Sequence, residues 1–519
     1  MNRKITIASR GSELALWQAN FVKQELARIG VESAIRVYKT QGDLTPDLSL
    51  YKLEGKGFFT KEIEDALLKR EADLAVHSHK DLPTASPEGL VIAAVSYREK
   101  PNEMILIRKD CVDQRRKFRV KKGGSVGTSS GRRKSQLAAF RPDLVLKDIR
   151  GNVPGRVQKL RDGKFDAILL AAAGLERLKL NLDDLYAELI DHHDIVPSPA
   201  QGVLALQTRS DDKELIEALQ KINHADVQDC IAIERKILNI FQGGCHLPLG
   251  VYCEKEEDLY KVWSAMADDW DKPLRILYTE TRQAENAATK IVDKLRAIKP
   301  ASVFITRDLR EDDFFFHVLQ SNEFTVEGRA LIETNRILLK KIPDAEWVFF
   351  SSKQAVKHFL AQTKLKPGMK IGAVGKATSN ELRKFNLRAD FIGGGNDTRL
   401  TAKQFGAVVG RSTVLFPQAK GSMKAVQAQL PNAKVIDLIV YETIQRSAEN
   451  LPKADILVFT SPSNVDAFLE KNKISPGQKL VAMGHATAST LKEKGHHSFW
   501  SPDSFDDAGM VRAVMAASI

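Results

Sequence analysis

Arginine, lysine and hydroxyl side chains gather at four places where a β-like run gives way to a helix start. They are Arg10/Ser12, Ser78/Lys80/Asp81, Thr128/Ser129/Arg132/Arg133 and Arg150/Asn152/Arg156. Taken singly, such residues read as helix caps and solvated charges. Four junctions of one chemistry, with few acids beside them, point instead to a shared anion site, because helix N-termini and guanidinium groups both favour negative charge. From Arg115 to Arg161 there are fifteen Lys/Arg and two acids, Asp143 and Asp148. That excess slightly exceeds the net charge of +12 for the whole chain. A run this basic first suggests nucleic acid. Its only aromatics are Phe118 and Phe140, a poor platform for base stacking, and a small ligand with several carboxylates suits it better.

Asp81 follows Ser78-His79-Lys80 and precedes Leu82-Pro83. As a turn residue it would cap the next segment. As a functional residue it would stay ionised among cations, holding a cationic intermediate or moving a proton. Cys245 lies in Gln242-Gly243-Gly244-Cys245-His246-Leu247-Pro248, where two glycines let the backbone approach a ligand closely. A lone cysteine is otherwise a small buried hydrophobe. Cys111, Cys230 and Cys253 have no such setting and read as structural. His77 and His79 share one strand face but lack a third ligand, and no CxxC exists, so no metal is expected. Gly55-Lys56-Gly57 does not meet phosphate-loop spacing.

The elements that must position these groups alternate. KITIAS reads as a strand and ELALWQANFVKQELARIG as a helix, with Leu14, Trp17, Phe21 and Ile29 at helical spacing and Gly30 as its stop. The same grammar continues through Leu178, which indicates an α/β fold with ligands at the strand C-termini. From about Lys299 the chain contains a repeat. WVFFSSKQAVKHFL matches ILVFTSPSNVDAFL, and IGAVGKATSNEL matches VAMGHATASTL. Ser351 and Ser461 are 110 residues apart, and Gly375 and Gly484 are 109 apart. Two similar lobes with a cleft between them follow. The full 519 residues suggest about three or four domains. Four cysteines exclude a disulfide scaffold. Apolar runs fall far short of a membrane span and no secretory signal is evident, so a cytoplasmic protein is expected.

Residues 1 to about 298 resemble hydroxymethylbilane synthase (porphobilinogen deaminase). The resemblance rests on Ala8-Ser9-Arg10-Gly11-Ser12, Gly57-Phe58-Phe59-Thr60-Lys61-Glu62, His77-Ser78-His79-Lys80-Asp81-Leu82-Pro83, Gly127-Thr128-Ser129-Ser130-Gly131-Arg132-Arg133, Arg150-Gly151-Asn152-Val153 and Gly243-Gly244-Cys245-His246-Leu247-Pro248. The remainder is similar to uroporphyrinogen-III synthase, through TRD near its start, the two FxS-type turns, Tyr441-Glu442-Thr443 and the two Gly-x-Ala-Thr turns.

The resemblance implies an α/β fold with two periplasmic-binding-protein-like lobes (1–99 with 200–220, and 100–199). A small α+β third domain (221–298) would carry Cys245, and a two-lobed synthase-like module (301–519) would follow. It implies condensation of four porphobilinogen molecules, with loss of ammonia, on a dipyrromethane cofactor linked to Cys245. Asp81 would stabilise positive charge and help proton transfer. Lys80, Ser129, Arg132, Arg133, Arg150 and Arg156 would hold the cofactor, and Arg10, Ser12, Ser78, Thr128 and Gln201 the substrate. The second half would close the linear tetrapyrrole to uroporphyrinogen III, with Tyr441 assisting departure of the hydroxyl and Ser351, Ser461 and Thr487 binding. A monomer with no nucleic-acid or membrane partner is implied. His79 stands where the family usually has Met, Gly131 where it has Leu, and Pro199-Ala200-Gln201-Gly202 lacks the usual glycine before Gln-Gly. Two other readings stay open: a deaminase whose C-terminal half only binds the product, and a basic anion- or nucleic-acid-binding protein.

Overall fold

The computed structural model describes residues 3–40, 60–242, 247–394, 398–446 and 448–519. It divides into two compact units, Met1–Ala297 and Ile298–Ile519.

The first unit holds three sheets. The first has β1 (Ile5–Arg10), β2 (Ser33–Tyr38), β3 (Leu74–Ser78), β4 (Leu90–Val95) and β10 (Leu204–Arg209), in the order β2-β1-β3-β10-β4. Strands β1, β2 and β3 run parallel, and β10 is antiparallel to both its neighbours. The second sheet, β7-β6-β8-β5-β9, uses β5 (Glu103–Arg108), β6 (Ser125–Gly127), β7 (Val145–Lys147), β8 (Ala167–Ala171) and β9 (Leu185–Leu189). The chain therefore passes between these sheets twice, after β4 and before β10. The third sheet is an antiparallel meander, β11 (Leu249–Glu256), β12 (Leu259–Met266) and β13 (Arg275–Thr281).

Helix α1 (Glu13–Arg28) packs on the first sheet through Gln18, Ala19, Val22 and Leu26. Each full burial of a Val or Leu there contributes about 1.5–3 kcal/mol. The fully buried residues thus differ from the Leu14/Trp17/Phe21/Ile29 stripe expected from spacing, of which Phe21 and Ile29 still pack against the same core. Those residues are only half-buried, with Trp17 stacked on Phe21 at 5.7 Å. Trp17 also lies under the Arg177 guanidinium, 5.3 Å away, so an aromatic outside the core meets a cation from the segment after β8. Gly30 does end the helix, in the left-handed region at φ 78°. Among the described residues, the remaining helices of this unit are α2 (Lys61–Leu68), α3 (Gly131–Phe140), α4 (Val153–Arg161), α5 (Ala172–Leu178), α6 (Lys213–Gln220), α7 (Ala225–Ile240) and α8 (Ala284–Ala297).

The second unit has two sheets. One is all parallel, β15-β14-β22-β23, built from β14 (Ser302–Ile305), β15 (Thr325–Gly328), β22 (Ile456–Phe459) and β23 (Lys479–Ala482). It draws strands from both ends of the unit. The other, β16-β21-β20-β17-β18-β19, comprises β16 (Ile332–Arg336), β17 (Trp347–Phe350), β18 (Lys370–Ala373), β19 (Phe391–Ile392), β20 (Thr413–Ala419) and β21 (Lys434–Gln445). Its helices include α9 (Phe314–Ser321), α10 (Lys353–Leu360), α11 (Lys376–Arg383), α12 (Thr398–Val409), α13 (Pro462–Lys471), α14 (Gly484–Glu493) and α15 (Asp507–Ala517).

The two segments align at an offset of 109, and the pairing of Ser351 with Ser461 is one residue off. Ser352 caps α10 by accepting from Ala355 N (3.1 Å), and Ser461 caps α13 by accepting from Asn464 N (3.3 Å). The equivalent residues are therefore Ser352 and Ser461, 109 apart, and Ser351 corresponds to Thr460.

Candidate active site

Lys80 sits in a single 3-10 turn, His79–Asp81, at the end of β3. Its Nζ donates to Gln201 Oε1 at 3.3 Å. The Gln201 amide donates in turn to Pro101 O (2.7 Å) and to Glu103 Oε1 (3.0 Å). Glu103 opens β5 in the second sheet and is fully buried. Arg132 Nη2 meets its Oε1 at 2.6 Å and Arg133 Nη2 meets its Oε2 at 2.7 Å. Both arginines, in the first turn of α3, also donate to carbonyls, Arg132 to Val196 O and Arg133 to Leu169 O. Burial alone would raise the Glu103 pKa, but Arg133, Arg132 and Lys80 outweigh it and hold the group at about 2.

The cations crowd one another. Burial lowers the Lys80 pKa, Asp81 opposes that, and Arg133 adds to it. Burial pushes Arg156 down to about 10; Arg133 contributes next, Asp81 opposes, and Arg150 contributes further. Asp81, Lys80, Arg132, Arg133, Arg150 and Arg156 thus share one electrostatic neighbourhood, in which Asp81 is exposed and Glu103 is not. Five cations facing two carboxylates favour an anionic ligand, and a molecule carrying several carboxylates fits them.

The hydroxyls have local work. Ser12 caps α1 by accepting from Ala15 N at 3.3 Å. Ser78 accepts from Gln18 Nε2 at 2.9 Å. Ser129 Oγ donates to Ile149 O and accepts from Ile149 N, joining two of the junctions. Thr128 is buried, and Arg10 ends β1 half-buried. Arg156 Nε donates to Gly151 O at 2.7 Å, and Asn152 caps α4 through Gly155 N. Four cations of the long basic run are answered by acids beyond its end: Lys117 by Asp194, Lys121 by Asp166, Arg119 by Glu188 and Arg161 by Asp184.

The segment returning to the first sheet is pinned from the third. Buried Glu234 on α7 accepts from Ala200 N (2.7 Å) and Cys253 N (2.8 Å) and pairs with Arg98 Nη2 at 2.7 Å. Ala200 is held in the left-handed region at φ 62°, where a glycine would be unstrained. Gly202 is also left-handed, and a Cβ there would lie 2.4 Å from Glu99 O. Sequence reasoning missed Glu103, Glu234 and Arg98. The one available sign was an acid opening an otherwise apolar strand, Glu103 before Met-Ile-Leu-Ile. Cys245 lies outside the described residues, in the stretch joining α7 to β11.

In the second unit Tyr441 on β21 is buried, and its hydroxyl lies 3.3 Å from Ser352 Oγ. The His358 ring stacks on it at 5.0 Å. Burial raises its pKa, the Ser352 bond opposing. Ser351 is exposed. Thr487 is buried and donates to Met483 O at 2.7 Å, a bond inside its own helix start.

Two α/β sheets are joined by a double crossing, with a cationic cluster and the exposed Asp81 carboxylate where they meet, an arrangement suited to an anionic ligand. Residues 5–217 match the family model described as porphobilinogen deaminase, dipyromethane cofactor binding domain. Residues 313–512 match uroporphyrinogen-III synthase HemD. The porphobilinogen deaminase of Chlorobium phaeovibrioides is 38% identical over 319 residues, covering 60% of this chain and 99% of that protein. That of a Nitratiruptor species is 44% identical over 250 residues, covering 48% and 78%. Among solved structures, the uroporphyrinogen-III synthetase of Helicobacter pylori aligns at 20% identity with TM-score 0.32, covering 41% of this chain and 98% of that one. An ancestral arginine-binding protein aligns at 16% identity with TM-score 0.27, covering 43% and 91%. The chain belongs to the porphobilinogen deaminase family, and carries a uroporphyrinogen-III synthase domain behind the deaminase.

Proposed function

We propose how this chain's residues divide the work of hydroxymethylbilane synthesis and uroporphyrinogen-III formation. The observation that carries the reading is the exposed Asp81 carboxylate beside Lys80 and Arg156, backed by the buried Glu103–Arg132–Arg133 group.

The dipyrromethane, when bound, supplies the fixed pyrrole end to which each porphobilinogen adds as its ammonia leaves. We assign its attachment to Cys245. Lys80, Arg150 and Arg156 bind acetate and propionate groups, together with Arg10. Asp81 stays ionised among them and faces the positive charge that develops on pyrrole nitrogen, where it holds or moves a proton. Arg132 and Arg133 serve through Glu103. With both Nη atoms of each guanidinium already engaged by protein, the two arginines hold their positive charge in place beside the ligand without paying rotamer entropy on binding. Ser12, Ser78, Thr128 and Ser129 shape the junctions that aim these cations, and Gln201 relays between Lys80 and Glu103.

We divide the chain into two lobes (1–99 with 200–220, and 100–199), a third domain (221–298) and the synthase module (301–519). In that module the substrate is held between helix starts capped by Ser352 and Ser461, and Tyr441, sharing its hydroxyl with Ser352, assists departure of the hydroxyl. We assign the chain to the cytoplasm as a monomer that binds no nucleic acid. Among the described residues no helix is long and apolar enough to cross a membrane.

The test is to give full-length protein porphobilinogen alone, oxidise the products and separate the porphyrin isomers. Mainly isomer III is expected. Mainly isomer I would remove the cyclase role, and no porphyrin from cofactor-loaded protein would remove the deaminase role.

A further inference from the structure

We propose that Asp191, His192 and His193, joined by Glu254, form a site for a zinc-class divalent transition-metal ion that ties the second sheet to the third. The first three residues come one residue after β9, and Glu254 lies on β11. One ring nitrogen of each histidine and a carboxylate oxygen of Asp191 all lie within 4.8 Å of one another.

A tight turn brings three consecutive side chains to one point. Asp191 O accepts from both Asp194 N and Ile195 N, and Asp191 Oδ1 accepts from His193 N at 2.9 Å. The chain therefore reverses here instead of alternating sides as a strand would. The two imidazoles end with centroids 4.1 Å apart. His193 Nδ1 lies 2.8 Å from Asp191 Oδ1. His192 Nε2 is buried and lies 3.4 Å from Glu254 Oε1, and its Nδ1 lies 3.4 Å from Asn102 Nδ2.

The donor set decides the metal class. Two imidazoles and the Asp191 carboxylate make an N2O set, which suits Zn²⁺ and its neighbours with a fourth position open, whereas Mg²⁺ and Ca²⁺ prefer oxygen alone. The surroundings orient the ligands. Tyr252 OH donates to Glu254 Oε1 at 2.8 Å, and the rings of Tyr252 and Trp263 flank His192 and His193 at 4.5 Å each. The three ligand side chains keep some exposure, between 18% and 28%, so an ion has a way in. The competing reading is that these groups only pair with one another. An ion would restrain the third sheet, which follows the Cys245 segment, against the second sheet.

The experiment uses the full chain, stripped with a chelator and titrated with Zn²⁺ against a chromophoric competitor. One equivalent is expected at this site. His193→Ala and Glu254→Gln should each weaken it by about tenfold or more, and Zn²⁺ should raise the wild-type melting temperature but not that of His193→Ala. Glu254→Gln keeps the side-chain shape, so it answers the question if His193→Ala fails to fold. His496→Ala/His497→Ala, which removes an adjacent histidine pair in the second unit, should leave this equivalent intact. Absence of Zn²⁺ binding, or binding indifferent to both His193→Ala and Glu254→Gln, overturns the proposal.

Discussion

Lys80 Nζ donates to the side-chain carbonyl of Gln201 at 3.3 Å, which joins the end of β3 to the segment that returns from the second sheet. Because the Gln201 amide also reaches Glu103, one neutral side chain sets the spacing between a site lysine and the carboxylate that holds two arginines. Gln201→Leu should lower kcat/KM for porphobilinogen by about tenfold, since a charge-linked hydrogen bond of roughly 1.5 kcal/mol is lost. Steady-state kinetics of the cofactor-loaded variant checks this; an unchanged kcat/KM would contradict it.

Glu103→Gln should destabilise the protein by about 3–5 kcal/mol, because it leaves Arg132 and Arg133 as buried charges without their counter-charge. Urea unfolding measures it. The Glu103 pKa is depressed in the folded state, so its contribution is complete above the unfolded carboxylate value, about 4.3, and is lost as pH falls toward about 2.

A second acid-sensitive window lies higher. Burial lowers His77 to about 4, opposed by its bond to Gln207, and burial lowers His79 to about 3, with Arg235 adding to the effect. Each histidine is neutral when folded and takes up a proton when unfolded below about pH 6.5. Stability should therefore fall as pH drops from about 6.5 toward 4, by up to about 1.4 kcal/mol per pH unit per histidine. His79→Met should remove one histidine's share of that slope, up to about 1.4 kcal/mol per pH unit. A slope equal to wild type in urea titrations across this range would refute the assignment.

Tyr441→Phe removes a buried hydroxyl that meets only Ser352 among its described hydrogen-bond partners. Folding should lose about 1 kcal/mol, whereas isomer III formation should slow by about tenfold or more. Single-turnover assays with hydroxymethylbilane separate the two effects. A normal isomer III rate would assign Tyr441 to the core alone.

The alternation of strands and helices, the four cationic junctions and the family resemblance were legible in the sequence because they rest on local patterns. β1 buries Ile5 and Ile7 at a period of two, Ser12 and Asn152 cap helices within three residues, and Gly30 stops α1. Each is decided by neighbours along the chain. The partners of the charges were not legible, because Coulomb energy follows distance in space. Lys117, Lys121 and Arg161 find Asp194, Asp166 and Asp184, and Arg132 and Arg133 find Glu103 some thirty residues earlier. The inward face of α1 also depended on tertiary packing, which placed Trp17 against Arg177 and Val22 against the sheet. The sequence alone determined which chemical groups stand at the strand ends. Only the tertiary structure decided which of them spend their charge on one another, because that follows from which buried acid comes within 3 Å of which guanidinium.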